Sequence, residues 1–259
     1  EIRDSFKAEM ERLGYKEGEN IAYDFKDAGN DPTTANSIMS TFAGNKSDVI
    51  VAIATPTATA AANYSKDIPI VFAAVSDPVG SKLMTNVEKP DKNITGTSDA
   101  APIYKQLEII TKLLPNAKKV GIIYNTSEQN SQVQVAQAKV EAAKLGLEIV
   151  ETGITTINDM AIGLDSLLPK VDVLYTPTDN LVVASTPLLL EKANKAGKPV
   201  IGSVEDQVMQ GALVTETIDY EKLGYQTGEV AVQVLKGTAP NTIPIETLKD
   251  TQHAVQHPA

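Results

Sequence analysis

Near-continuous runs of Val, Ile and Ala recur along the chain, each followed by a helical stretch, and this alternation restricts the fold more than any other feature. The runs are Val49-Ile50-Val51-Ala52-Ile53-Ala54, Ile70-Val71-Phe72-Ala73-Ala74-Val75, Val120-Gly121-Ile122-Ile123-Tyr124, Val171 to Tyr175 and Pro199-Val200-Ile201-Gly202. A strand that is apolar at almost every position has both faces buried, which is the mark of a parallel sheet covered by helices on both sides. Between the runs, apolar residues fall at helical spacing: Ile2 to Leu13 closed by Gly14, Asn36 to Phe42, Thr57 to Ser65, Ile103 to Leu114 closed by Pro115, Ser131 to Leu145 capped by Gly146, Met160 to Leu168, Ser185 to Ala196 ended by Gly197, and Leu223 to Leu235 before Gly237. Ile21 to Phe25 alternates like a half-buried strand, and Leu147 to Glu151 reads as a further one. Two such series in tandem predict an α/β chain of two doubly wound, parallel-sheet lobes.

The 259 residues suffice for two domains of roughly 100–150 residues each. A net charge of −10 opposes any role built on neutralising nucleic-acid phosphates and suits a small-molecule ligand. Cysteine is absent, which removes disulfides, thiolate catalysis and cysteine-bound zinc, and is compatible with an oxidising or a reducing compartment. The opening Glu1-Ile2-Arg3-Asp4 shows no export-signal pattern, so a signal is expected to have been removed or never present here.

In open parallel sheets ligands bind beyond the carboxyl ends of the strands, so the segments that follow them are the candidate site. They are Thr55-Pro56-Thr57-Ala58, Ser76-Asp77, Asn125-Thr126 with Asn130-Ser131, Thr176 with Asp179-Asn180, and Glu205. Threonine as N-cap of the helix after Ala54 would present free N–H groups to a carboxylate. Capping alone explains any one of these polar loops; five of them, divided between two lobes, point to a shared ligand cleft. Tyr124 and Tyr175, at strand ends, are expected to line it. Catalytic patterns are missing: the two histidines, His253 and His257, lie near the C-terminus, with no nucleophile elbow, zinc-binding His pair or phosphate loop. Asp77, Asp179 and Glu205 could form an acid–base pair, but a carboxylate in a desolvated cleft is better matched to a ligand ammonium group. No enzyme activity, cofactor or metal is expected.

Five stretches in order, Phe6 to Asn20 (FKAEMERLGYKEGEN), Val51 to Asp77 (VAIATPTATAAANYSKDIPIVFAAVSD), Asn93 to Asp99 (NITGTSD), Tyr175 to Asn180 (YTPTDN) and Gly224 to Gly237 (GYQTGEVAVQVLKG), resemble the ABC-transporter substrate-binding proteins of the tryptophan/tyrosine-type uptake systems, of periplasmic-binding-protein type I fold. The resemblance implies two lobes joined by a three-stranded hinge, with crossings near 115–118, 215–218 and 237–240. The first lobe would comprise 1–116, 219–238 and 251–259, the second 117–218 and 239–250. It implies a monomeric, extracytoplasmic, non-enzymatic protein that captures a small molecule, an aromatic amino acid first among them, by hinge closure and delivers it to an ABC permease. Thr55–Ala58, Ser76 and Asp77 would be first-lobe contacts; Asn125, Thr126, Asn130, Asp179 and Glu205 second-lobe ones, with Asp179 the ammonium partner and His257 at the cleft edge. The alternative in the same fold is the effector core of a LacI-like regulator, although no basic helix-turn-helix segment is present.

Two departures from the family pattern stand out. Glu216-Thr217 replaces an aromatic or small residue followed by glycine, and Gln256-His257-Pro258-Ala259 looks like the family's first strand placed last. The second suggests a circular permutation or a chain numbered in a new order, with termini where lobe closure could be coupled to a reporter, and predicts that 252–257 pairs in the first lobe's sheet.

Overall fold

The computed structural model describes residues 1–248 and 250–256. Contacts divide the chain into two compact units, residues 1–100 with 219–248 and residues 101–218 with 250–256. The chain therefore passes from one unit to the other after Ala100, after Ile218 and at 248–250.

The first unit contains α1 (Ile2–Arg12), α2 (Pro32–Gly44), β1 (Ile50–Ile53), α3 (Thr55–Ala62), β2 (Ile70–Ala73) and β3 (Ile94–Ser98), and is completed by α10 (Tyr220–Leu235) and β9 (Glu246–Thr247). Its sheet runs β1-β2-β3-β9, all parallel. Successive residues of β2 face opposite sides: Ile70 and Phe72 pack with Ile50, Ala58 and Ile94, whereas Val71 packs with Phe6, Met10 and Val230 of α1 and α10. Both faces are thereby sealed, each large aliphatic side chain contributing about 1.5–3 kcal/mol. α1 and α10 approach closely because Gly224 and Gly228 of α10 present no side chain to α1. A Cβ on Gly228 would lie 2.9 Å from both Cβ and Cγ of Glu9, and Glu9 is held in place by Arg12, which donates to both its carboxylate oxygens. Gly228→Ala is expected to cost about 1–2 kcal/mol in urea unfolding through overpacking; a cost near zero would show that Glu9 swings aside.

The second unit contains α4 (Ile103–Leu113), β4 (Lys119–Asn125), α5 (Gln129–Lys144), β5 (Glu148–Ile154), α6 (Met160–Leu167), β6 (Val173–Tyr175), α7 (Asn180–Ala184), α8 (Thr186–Lys195), β7 (Val200–Ile201), α9 (Glu205–Gln210), β8 (Val214–Thr217) and β10 (Gln252–Val255). The sheet order is β10-β8-β7-β6-β4-β5, parallel except for β10. Again one strand feeds two cores: Val120, Ile122, Val173 and Tyr175 pack under α4 and α5, and Ile123 and Leu174 pack under α6 and α8.

Four expectations are corrected. Ile21–Phe25 is not a strand among the described residues; only an isolated bridge joins Glu17 to Ile21, and although Ile21 and Tyr23 pack on the first unit's core, Phe25 is exposed. Residues 101–116 belong to the second unit, because Ile103, Leu107 and Ile110 of α4 pack on Val120, Ile122 and Tyr175. Residues 239–248 belong to the first, because Glu246 and Thr247 pair with Thr97 and Ser98 of β3. Finally, Gln252–Val255 pairs antiparallel with β8 in the second unit's sheet, Gln252 opposite Thr217. Buried Glu216 anchors this edge strand: it receives Thr251 Oγ1 and Lys105 Nζ (3.3 Å), and His253 Nδ1 lies 2.7 Å from its carboxylate. The permutation reading required that strand in the other sheet and is withdrawn.

Candidate functional site

In the first unit β1, β2 and β3 end within about a residue of one another. Ile53 is in register with Ala73 and Phe72 with Gly96, so Thr55, Val75 and Asp99 each follow closely on a strand end at the carboxyl edge. Ala54 and Ala74, at two of these tips, have φ of +75° and +54°. That left-handed backbone costs a non-glycine residue about 1–2 kcal/mol. The helix after β1 begins at Thr55, two residues earlier than the sequence indicated: its N-cap is Ala54, without a side-chain capping bond, so neither threonine caps it. Thr57 Oγ1 instead donates back to the carbonyls of Ile53 and Ala54. Pro56 stands in the first turn and Ala58 packs into the core. Thr55 is 2% exposed and its hydroxyl has no hydrogen-bond partner among the described residues. A buried hydroxyl without a partner costs about 1–3 kcal/mol and calls for an explanation.

Beyond β2, the Asp77 carboxylate accepts from the N–H groups of Val79 (3.1 Å) and Gly80 (2.7 Å) and shapes a local turn. Ser76 Oγ donates to Asp99 Oδ1 at 2.9 Å, and Tyr220 Oη donates to Asp99 Oδ2 at 3.0 Å. Burial raises the Asp99 carboxyl above the ordinary carboxylate range, only partly offset by those two hydroxyls. Neither Asp99 nor Tyr220 was among the candidates. The Ser-Asp ending of the Asn93–Asp99 stretch was the available signal, because β3 itself had not been recognised as a strand.

In the second unit, Asn125, Asn130, Ser131, Asp179 and Asn180 come together around a residue that the sequence did not single out, Glu128. Asp179 is fully buried and accepts from Asn125 N (2.6 Å), Ser131 Oγ (2.7 Å) and Val182 N (2.9 Å), capping α7. Glu128 accepts from Asn180 N (3.1 Å), Asn180 Nδ2 (2.7 Å), Leu181 N (3.3 Å) and Asn125 Nδ2 (3.2 Å). Burial and the neighbouring Glu128 carboxylate push the Asp179 carboxyl up to about 6. These donors come from three elements, so the pair ties the tip of β4 to the starts of α5 and α7. Asp179 is thus committed to backbone and hydroxyl donors, and the structure gives it no geometry of an ammonium receptor. Asn130 Nδ2 donates to Thr178 O (2.8 Å), leaving its buried Oδ1 and the neighbouring Gln129 Oε1 without a donor.

The remaining candidates lie apart from that cluster. Thr176 Oγ1 donates to Gln207 Oε1 at 2.9 Å, a buried contact that also involves Ser203. Thr126 Oγ1 donates to Ile154 O (3.2 Å) on the β5 side. Thr126 and Tyr124 line an open groove of about 560 Å³ with Val135, Lys139, Val140 and Glu151, which contains none of the residues around Glu128. Tyr175 is buried, its hydroxyl donating to Gln106 Oε1 at 2.7 Å, so it braces α4 rather than lining a site. Glu205 is exposed and accepts from Gln252 Nε2 at 3.2 Å. His257 lies outside the described residues. No group of three or more metal-ligating side chains is assembled among the described residues.

At the carboxyl edge of each unit's sheet, polar side chains gather that are suited to holding a molecule. Comparisons with known proteins agree. The chain is 49% identical over 243 residues to the tyrosine-binding protein of Clostridioides difficile, covering 94% of this chain and 70% of that protein. It superposes with a TM-score of 0.95 on an ABC domain from Streptococcus pneumonia in complex with L-Trp, at 32% identity and covering 98% of this chain and 86% of that one. A substrate-binding protein with adhesive properties from Clostridium difficile, in its ligand-free, open structure, matches at 48% identity over 98% of this chain and 86% of that one, with a TM-score of 0.72. The family model described as ABC transporter substrate binding protein matches residues 1–259. The chain belongs to the ABC transporter substrate-binding proteins, a family of solute carriers and not of enzymes.

Proposed function

We propose that this protein binds an aromatic amino acid, L-tyrosine or L-tryptophan, outside the cytoplasm and delivers it to the permease of an ABC importer. The observation that carries the reading is the row of buried polar groups at the first unit's strand tips. There the unpartnered Thr55 hydroxyl stands at the start of α3, where the N–H groups of the first helical turn are also without intrahelical acceptors. A hydroxyl and free N–H groups at a helix start suit the carboxylate of an amino acid. Pro56, Thr57 and Ala58 form the rest of that turn, and Ser76 and Asp77 follow the adjacent strand. In the second unit, taken by itself, Asn130 Oδ1 and Gln129 Oε1 are buried acceptors without a donor among the described residues. Asn125 and Ser131, both fastened to Asp179, position that edge. The aromatic preference is supported by the tyrosine-binding relative and the L-Trp complex. The permease partner is supported by membership of the ABC transporter substrate-binding family.

Calorimetric titration tests this directly. L-Tyrosine or L-tryptophan is expected to bind at least tenfold more tightly than L-leucine, while glucose and myo-inositol release no measurable heat. Preferential binding of a polyol overturns the reading.

A further inference from the structure

Five acidic side chains are buried among the described residues: Glu9, Asp99, Glu128, Asp179 and Glu216. Four have their carboxylate oxygens taken up by cations or by backbone N–H groups of the protein. Glu9 is paired with Arg12, and Glu216 with Lys105 and His253. Glu128 and Asp179 are each held by two backbone N–H groups as well as by side-chain donors. Asp99 differs. Its donors from other residues are two neutral hydroxyls, Ser76 and Tyr220, and no cation reaches it among the described residues. Each carboxylate oxygen can accept a second hydrogen bond. A buried carboxylate in that condition is strongly disfavoured unless a cation is brought to it.

Position adds a second constraint. Thr55 and Asp99 follow the carboxyl ends of β1 and β3, the two strands that flank β2 and so lie roughly 10 Å apart at about 4.8 Å per strand spacing. An α-amino acid head group lying across the end of β2 bridges groups at that spacing through hydrogen bonds of about 2.8 Å. A carboxylate at the start of α3 therefore puts the same molecule's ammonium group beside Asp99. Tyr220 and Ser76 act on Asp99 from the side, and burial together with the Asp99 charge keeps the Tyr220 phenol well above its ordinary pKa, so it stays a donor.

We infer that Asp99, oriented by Ser76 and Tyr220, is the residue that receives the ligand's α-ammonium group and makes the protein select amino acids over their deaminated analogues. This rests on the amino-acid reading above and replaces Asp179 in that role.

The test compares L-tyrosine with 3-(4-hydroxyphenyl)propanoate, which lacks only the amine, in calorimetric titrations of the unmodified protein and of Asp99→Asn. The unmodified protein is expected to favour tyrosine by at least 100-fold. In D99N that ratio should fall below about fivefold, while affinity for the deaminated compound stays within threefold of the unmodified protein's. A D99N ratio that stays near 100-fold overturns the assignment, as does an equal loss of both compounds. Should D99N fail to fold, a crystal structure of the unmodified protein with L-tyrosine decides: an ammonium nitrogen within hydrogen-bond distance of an Asp99 oxygen supports it, and one more than 4 Å away overturns it. If neither aromatic amino acid binds but another amino acid does, the aromatic reading fails and the same ratio is measured on that ligand. Tight binding of a ligand without an amine overturns both.

Discussion

Gly96→Ala is expected to lower the unfolding free energy by about 3–4 kcal/mol, among the most severe single changes available to the first unit. Gly96 sits in the middle of β3, opposite Phe72 in β2. A Cβ built there would fall 2.1 Å from the Phe72 carbonyl oxygen and 2.6 Å from its ring. Ordinary overpacking costs about 1–3 kcal/mol because a flexible neighbour gives way. Here the obstacle is backbone, and the ring behind it is fully buried. Relief would require β3 to move off β2 and also off β9, its partner on the other side. It would also disturb the Thr97 contact with Thr227 of α10 at 2.7 Å. Gly44→Ala is the control, since a Cβ there meets nothing within 4 Å and its backbone has negative φ. Urea unfolding should place Gly44→Ala within about 0.5 kcal/mol of the parent and Gly96→Ala far below it. Coincident midpoints for Gly96→Ala and the parent would mean that the sheet yields at this point.

β3 also shows where sequence reasoning stopped. The strands over 50–53, 70–73 and 119–125 announce themselves because solid Val/Ile runs are needed when both faces are covered. Ile94-Thr95-Gly96-Thr97-Ser98 carries one large apolar residue, yet all five positions are buried. Its hydroxyls are made tolerable by distant partners: Thr95 donates to the carbonyl of Ile243, and Thr97 meets Thr227. Contacts spanning more than a hundred residues leave no local pattern. The converse error arose at Ile21–Phe25, whose alternation is real in packing but lacks a neighbouring strand among the described residues. Alternation specifies which side chains go inward; it does not supply the ladder.

The site was legible to the same depth. That polar residues cluster after strands follows from topology, and Thr55, Ser76, Asn130 and Asp179 were found that way. Deciding which acid is available and which is spent requires counting donors that arrive from elsewhere. Asp99 and Asp179 look alike in sequence, each one to four residues beyond a strand. Their difference is that α7 and β4 direct N–H groups at Asp179, whereas the neighbours of Asp99 offer only hydroxyls. Domain membership was misjudged for a related reason. α4 follows the first sheet in sequence, but its apolar face of Ile103, Leu107 and Ile110 matches the second unit's core.

Removing the Asp179 carboxylate should destabilise the second unit by about 3 kcal/mol at pH 5, and by less at pH 7.5. Asp179→Ala leaves the N–H groups of Asn125 and Val182 and the Ser131 hydroxyl without their acceptor, and each buried donor stranded in this way costs about 1–3 kcal/mol. The dependence on pH comes from the carboxylate itself. Burial and Glu128 raise its folded-state pKa to about 6, above its ordinary value of 3.8, so the fold favours the protonated form. Between those values the native state holds more protons than the unfolded chain, and stability declines as pH rises. Asp179 therefore contributes most below about pH 4, and its extra contribution is lost through pH 6. Linkage over that shift makes the parent about 1.4 kcal/mol more stable at pH 5 than at pH 7.5 on account of this group. The alanine variant lacks that increment, so the gap between variant and parent should narrow by about the same amount on going from pH 5 to 7.5. Urea unfolding of both proteins at the two pH values measures it. A gap that instead widens with pH would show that the ionised carboxylate is the form this cluster stabilises.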